Sequence, residues 1–170
     1  MSKRIVIDLA HLDVAIKELE DYKKSIKTKL KILEERLAIY GANIARVSFS
    51  NAMYAGDNDV EVSVEKIKYG KGYKIVAKGQ AVVFIEFGTG IINPEHPQSA
   101  EFGFAHGTYG KGKGKNPKGW VYVGSQGNAG QRVRDGVYRT MGNPPSRSMY
   151  EASKSMAKEI ENLAREVFND

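Results

Sequence analysis

The sequence predicts an α+β fold, with a small antiparallel sheet packed against a long N-terminal helix and a C-terminal amphipathic helix. Three observations predict it. Apolar residues recur at three- and four-residue spacing near both ends of the chain, as on one face of a helix. Between these segments, short runs alternate apolar and polar residues, as in half-buried strands. Residues 88–119 follow neither period and contain eight glycines, which predicts a long Gly/Lys-rich loop.

The N-terminal helix is predicted over residues 11–54. No proline interrupts this stretch, and Gly41 is its weakest helical position. One alternative is that Ser25 or Thr28 divides it into two helices. A single helix of this length must project from a small domain or bend around a partner. Its aliphatic stripe is therefore either core or, in part, a subunit contact; the stripe comprises Leu12, Ile16, Leu19, Ile26, Leu30, Leu33, Leu37, Ile44 and Val47.

The middle of the chain is predicted to be extended. Residues 60–65 and 73–78 alternate apolar and polar side chains on either side of a glycine turn at 70–72, which predicts a β-hairpin. Residues 81–87 fit either a third strand or a short buried helix capped by Gly88, and the strand is the preferred interpretation. Residues 120–123 form a further short strand, and residues 124–145 are expected to be irregular.

The C-terminal helix is the clearest element. Gly142-Asn143-Pro144-Pro145-Ser146 is typical of a helix entry, and Ser146 or Ser148 can act as N-cap. One apolar stripe follows, and we expect it to pack on the sheet. The stripe consists of Met149, Ala152, Met156, Ile160, Leu163 and Val167.

Length and composition place limits on the class of protein. The 170 residues, 41% hydrophobic and 27% charged, fit a single globular domain spanning residues 1–170. No apolar run approaches the roughly 20 residues that cross a bilayer, and the patch at residues 5–7 is too short for a signal peptide. We therefore expect no membrane partner and use in a cytoplasm. The absence of cysteine excludes disulfides, thiolate metal sites and cysteine nucleophiles.

The net charge of +6 is unevenly distributed, because residues 105–147 carry eight basic residues and one acid. Such a segment is typical of a surface that faces an anionic partner, or of a flexible loop kept soluble by like charges. Glycine interleaving favours a mobile arm without sequence specificity. The candidate DNA- or partner-facing residues are Lys111, Lys113, Lys115, Lys118, Arg132, Arg134 and Arg139.

Motifs for catalysis are incomplete. Residues 107–114 read G-x-x-x-x-G-K-G and lack the hydroxyl residue of a phosphate-binding loop. The glycines at 88–90 lack the third member of a dinucleotide fingerprint, and Ser125 has no nucleophile-elbow spacing. A metal site using His96 and His106 with Glu86 or Glu95 is conceivable, but the two histidines lack the spacing that places two ligands on one helix face. We expect no enzyme, no cofactor, no metal and no small-molecule substrate.

Glu86 is the carboxylate of interest, because Ile85 and Phe87 enclose it. A buried acid needs hydrogen-bond donors, and the nearest are the N–H groups of residues 88–90. We therefore predict that Glu86, Phe87, Gly88, Thr89 and Gly90 form a motif that anchors the start of the long loop. The alternative is an edge-strand glutamate that faces water.

The order of these parts resembles a family of tail components of long-tailed bacteriophages and prophages, described as minor capsid, tail-completion or head–tail joining proteins. The resemblance rests on Ile85-Glu86-Phe87-Gly88-Thr89-Gly90, a Gly- and His-containing loop, the strand at Trp120, and Gly142–Met149 opening the last helix. It covers most of the chain. Residues 91–119 are richer in glycine and lysine, and the stretch before Pro144 longer, than the family pattern.

The resemblance implies a non-enzymatic virion protein of the phage neck or tail, assembled in the host cytoplasm as a homo-oligomeric ring around the DNA channel. Its expected partners are head-closure or adaptor proteins and tail-tube or tail-terminator proteins. Non-specific contact of the basic loop with DNA is compatible with that place. The alternative function is a non-specific nucleic-acid-binding protein that uses residues 105–147.

Overall fold

The computed structural model describes residues 12–90, 97–98, 101–102 and 119–169. The α+β fold is confirmed, with a long N-terminal helix and a C-terminal helix, but the predicted single sheet is three small antiparallel sheets. In chain order the elements are α1 (Leu12–Ser50), β1 (Glu61–Lys66), β2 (Tyr73–Lys78), α2 (Val82–Phe87), β3 (Thr89–Gly90), β4 (Trp120–Val123), β5 (Gln131–Arg134), β6 (Val137–Thr140), β7 (Gly142–Asn143) and α3 (Ser148–Asn169).

α1 is one continuous helix, so the division at Ser25 or Thr28 is wrong. The Thr28 hydroxyl donates to the carbonyl of Lys24 at 3.1 Å and is satisfied inside the helix. Gly41 lies inside this helix and is buried where α3 packs against α1. A Cβ atom at Gly41 would collide with the sulfur of Met156.

α3 packs chiefly against α1 and runs antiparallel to it, whereas we expected it to lie on the sheet. Ser148 at its start contacts Ser48, and Glu166 near its end pairs with Arg36 at 3.5 Å. The α1 face beneath it carries Ala38, Gly41, Ala42 and Ala45, all buried. Small residues let two helices approach closely, which explains why α3 lies on α1.

The hairpin prediction is confirmed. β1 and β2 pair in antiparallel register, with Val62 opposite Ala77 and Val64 opposite Ile75. Their apolar faces pack on the C-terminal part of α1 around Phe49, which is 1% exposed. The core is therefore built from many small side chains around one large aromatic one.

Residues 124–145 are not irregular, contrary to expectation. β4, β6 and β5 form a three-stranded sheet in that order, and β7 pairs with β3. Asp135-Gly136 is the two-residue loop between β5 and β6, and Gly136 has φ 66°. An Asp-Gly pair between alternating residues is a strong hairpin signal, so the sequence contained the information.

Residues 82–87 form a helix, so the preferred strand interpretation is wrong and the helical alternative holds. Ile85 N–H donates to the carbonyl of Ala81 at 2.9 Å. Ile85 and Glu86 are both buried although they are adjacent. Neighbouring residues on a strand point to opposite faces, whereas a short helix can turn both toward the interior.

The predicted long loop 88–119 lies mostly outside the described residues. Its first part, Thr89–Gly90, is β3, and Gly119 leads directly into β4. The apolar patch at residues 5–7 also lies outside them. Within the described ranges, none of the helices combines the length and the apolar character needed to span a bilayer.

Candidate assembly site

The Glu86 carboxylate lies in the interior and holds the start of α3. It is 6% exposed. Its Oε2 accepts a hydrogen bond from the N–H of Met149 at 2.9 Å, and its Oε1 accepts one from Tyr150 at 3.1 Å. The first N–H groups of a helix have no partner inside the helix and carry its positive dipole end. Glu86 supplies both the acceptors and the negative charge that this helix end requires.

Main-chain hydrogen bonds reinforce the same contact, again with donors from the start of α3 and acceptors from the end of α2. The carbonyls of Ile85 and Glu86, at the end of α2, accept hydrogen bonds from Ser146 N–H at 2.8 Å and Arg147 N–H at 3.2 Å. Arg147 adopts φ 56°, an uncommon conformation for a residue other than glycine. The end of α2 and the start of α3 therefore satisfy each other's unpaired backbone groups.

Gly88 is where the two segments come closest. It has φ 77°, and a Cβ there would lie 2.7 Å from the nitrogen of Pro145 and 2.9 Å from the oxygen of Asn143. Only glycine fits this combination of conformation and space. The glycine after Glu86 thus permits the approach of the Pro-Pro segment.

Asn143 joins three segments from its buried position. Its Nδ2 donates to the carbonyl of Phe84 at 3.0 Å, and its Oδ1 accepts from the Thr89 hydroxyl at 2.6 Å. The Ser148 hydroxyl, fully buried, contacts the Ser48 hydroxyl of α1 at 2.8 Å. We call the set Glu86, Gly88, Thr89, Asn143 and Ser148 the Glu86 junction.

Part of this junction was not found from the sequence. Glu86, Gly88 and Thr89 were predicted as an anchoring motif, but the Gly88–Gly90 N–H groups were expected as its donors. The two donors described above come instead from α3, about sixty residues further along. Asn143 precedes Pro144 and Pro145, and this position could have indicated a turn residue with a buried side chain. Ser48 carried no signal, since nothing local distinguishes it from a solvent-facing serine.

The other two motif residues lie beside the junction. Phe87 is half-buried, and its ring centroid lies 5.8 Å from that of Phe102. Gly90 pairs with Gly142 across β3 and β7. The two-stranded sheet therefore continues the contact between the segments that precede and follow residues 91–118.

The three predicted arginines lie on the β5–β6 hairpin, and all are exposed. Arg132 forms an ion pair with Asp135. Arg139 lies opposite Val121 of β4, and Arg134 lies opposite Val137. Cross-strand partners share a face, so this outer face combines arginines with valines, of which Val123 is 83% exposed. The predicted Lys111, Lys113, Lys115 and Lys118 lie outside the described residues.

A cleft of about 380 Å³ lies on the other side of this sheet. Tyr54, Trp120 and Tyr122 line it, and burial raises the pKa of both tyrosines. The carboxylates of Asp59 and Asp57 raise the pKa of Tyr54 further. Both phenols are therefore neutral at physiological pH and act as hydrogen-bond donors rather than nucleophiles; Tyr122, for example, donates to the carbonyl of Gln126 at 2.9 Å.

Metal ligation finds no support in the part of the chain that the structure describes, where no three His, Asp or Glu side chains are grouped to hold an ion. The histidines considered from the sequence, His96 and His106, lie outside it. Comparison of the chain with protein-family models, with curated proteins and with solved structures finds no match.

Proposed function

We propose that this chain is a structural protein of the neck or tail of a long-tailed bacteriophage. In this proposal it acts in head–tail joining or tail completion, as a homo-oligomeric ring around the DNA channel. The observation that carries the proposal is the Glu86 junction. It brings together the two segments on which the resemblance to phage tail components rests, residues 85–90 and 142–149.

The chemistry of the junction suits a scaffold and not a reaction. The carboxylate of Glu86 is buried and accepts hydrogen bonds from two helix N–H groups. A catalytic acid or base must reach the proton it transfers, and a carboxylate enclosed in this way does not reach a substrate. A motif of this kind fixes two segments and leaves the outer surfaces for contacts with other subunits.

Native mass spectrometry and negative-stain electron microscopy test the proposal. The protein alone should form closed rings whose masses are multiples of 18.8 kDa, or it should form rings that also contain a tail-tube or head-closure subunit when mixed with one from a phage that encodes it. Nuclease treatment should not change them. A protein that never forms a ring and captures neither subunit would contradict the proposal.

The outer face of the β4–β6–β5 sheet favours a second candidate, non-specific nucleic-acid binding. Arg134 and Arg139 are exposed there. Arginine neutralises phosphate charge, and affinity that depends on such contacts falls steeply with salt. If the second candidate is correct, the protein binds duplex DNA at low salt, and replacing both arginines with alanine makes the salt dependence shallower.

A further inference from the structure

The N-terminal part of α1 extends past the end of α3. At the end of α3, the carbonyl of Phe168 accepts a hydrogen bond from Lys29 of α1 at 3.4 Å. Residues 12–28 therefore run beyond the end of α3, over about 25 Å at about 1.5 Å per residue. Among them Ala15 is buried and Ile26 half-buried.

This projecting part carries an apolar seam rather than a polar surface. Leu12, Ile16, Leu19, Ile26 and Leu30 follow alternating four- and three-residue steps, the spacing of a coiled coil, with Lys23 in the remaining seam position. Leu12, Ile16, Leu19 and Leu30 are 43–47% exposed. A helix draws most of its stability from packing its apolar face, so such a seam requires a partner.

The charge along the same segment identifies the partner. Residues 12–21 contain four acids and one lysine, for a net charge of −3, while residues 22–31 contain five lysines and no acid, for +5. The sign changes at Asp21 and Tyr22. A second copy of the segment, laid antiparallel, places the acidic half of each helix against the basic half of the other.

We infer that the projecting part of α1 pairs antiparallel with the same segment of a second copy of this chain. With the two-fold axis at residue 21, Leu12 lies opposite Leu30, Ile16 opposite Ile26, and Leu19 opposite Lys23. Lys23 then lies near the acids of the facing half. A parallel pair would instead bring Lys23 against Lys23 and acids against acids, which is unfavourable.

This contact is separate from the proposed ring and does not depend on it. A two-fold contact uses the same surface on both subunits and closes on a pair, whereas a ring requires two different surfaces. The pairing is therefore a second contact between copies, made by α1, in addition to whatever surface builds a ring.

Charge-reversal variants test the pairing. One variant carries Glu18→Lys, Glu20→Lys and Asp21→Lys, and the other carries Lys23→Glu, Lys24→Glu and Lys27→Glu. Lysine and glutamate have similar helix propensity, so both variants should keep the helical circular dichroism of the wild type. At a protein concentration where no ring forms, sedimentation at low salt should give twice 18.8 kDa for the wild type, 18.8 kDa for each variant, and twice 18.8 kDa again for their equimolar mixture.

Cross-linking tests the orientation, since the chain has no cysteine of its own. A mixture of Leu12→Cys and Leu30→Cys proteins should form a disulfide between chains, and Leu12→Cys alone should not. Cross-linking of Leu12→Cys with itself would indicate a parallel pair and overturn the inference. A wild type that stays at 18.8 kDa, or a pair that persists in both reversed variants, would also overturn it.

The outcomes for the two proposals are distinct. Rings that form in a protein that shows no α1 pair by sedimentation or by cross-linking would overturn the α1 pairing and leave the proposed function intact. Pairs that follow the charge pattern, in a protein that captures no tail or neck subunit and forms no ring, would support the α1 pairing and overturn the proposed function.

Discussion

The two ends of α1 differ in the size and the exposure of their apolar side chains. In the C-terminal part the buried positions are mostly small, with Ala38, Gly41, Ala42 and Ala45 beneath α3 and the hairpin. In the N-terminal part the apolar residues are large, and Leu12, Ile16 and Leu19 are nearly half exposed. Large aliphatic side chains of the N-terminal part are thus open to solvent, whereas Leu33, Leu37 and Ile44 further along the helix are half-buried.

If the N-terminal part of α1 pairs as we infer, this difference separates folding from assembly within one helix. Small side chains allow α3 and the hairpin to lie close, so the C-terminal part of α1 specifies the fold of the chain itself. Large exposed side chains contribute little to a single copy, and they gain most when a second surface covers them. We therefore expect substitutions in the C-terminal part of α1 to lower the free energy of unfolding, and substitutions in the N-terminal part to weaken pairing between copies.

The largest expected effect lies in the buried part, at Phe49. This side chain is 1% exposed and lies in the centre of the core cluster. Phe49→Ala should lower the free energy of unfolding by about 3–5 kcal/mol, because it removes apolar contacts and leaves a cavity. Urea denaturation followed by circular dichroism measures this. A loss of under about 1 kcal/mol would show that the core does not depend on this ring.

The next largest effect should follow Glu86→Gln. The amide keeps one acceptor but turns a donor toward a helix N–H group, and it removes the charge at the dipole end of α3. We expect a loss of about 2–3 kcal/mol, since hydrogen bonds to charged groups are among the stronger ones.

The matched control for this change is Glu35→Gln, on an exposed position of α1. It alters the charge equally and should leave the melting temperature nearly unchanged. If Glu86→Gln also leaves the melting temperature unchanged, the junction does not stabilise the fold and the structural interpretation of Glu86 fails.

Sequence periodicity predicted the helices and the first hairpin because each is determined locally. In the stripe predicted for α3, Ala152 and Val167 are buried while Ile160 is 46% exposed, and β1 and β2 pair over residues 61–66 and 73–78. Residues 82–87 were misjudged because a short apolar run has no distinguishing period. The β5–β6 hairpin was missed although Asp135-Gly136 marked its turn, since its strands carry arginines at positions where apolar residues are usual.

The Glu86 junction was predictable in part. An acid enclosed by apolar neighbours indicated a buried carboxylate, and glycine after it indicated a tight approach. Its donors were not predictable, because Met149 and Tyr150 come from a helix about sixty residues away. Contacts at that separation depend on how α2 and α3 meet, and a local pattern holds no information about it.

In the projecting part of α1, the effect on a single copy should be much smaller. Leu19→Ala should change the free energy of unfolding by less than about 0.5 kcal/mol at a protein concentration where sedimentation shows one copy, because Leu19 is already 47% exposed. The same variant should weaken pairing at higher concentration. A loss comparable to that of Phe49→Ala in the single copy would mean that the fold itself covers this side chain.

The smallest effect should be a change in acid stability on the hairpin that covers the buried part of α1. Glu65 pairs with Lys78 at 2.7 Å and Lys74 at 3.0 Å, and the hydrogen bonds and charges of these lysines lower its pKa from 4.5 to about 2. A pKa that is lower in the folded state stabilises the fold at a pH above the ordinary pKa, and this contribution is lost as the pH falls from about 4.5 toward 2.

Glu65→Gln should therefore flatten the decline of the melting temperature in that interval, whereas Glu35→Gln should not. The change should be modest, because exposed ion pairs contribute little. Identical acid profiles for wild type and Glu65→Gln would mean that the hairpin holds its place on α1 through its apolar face alone.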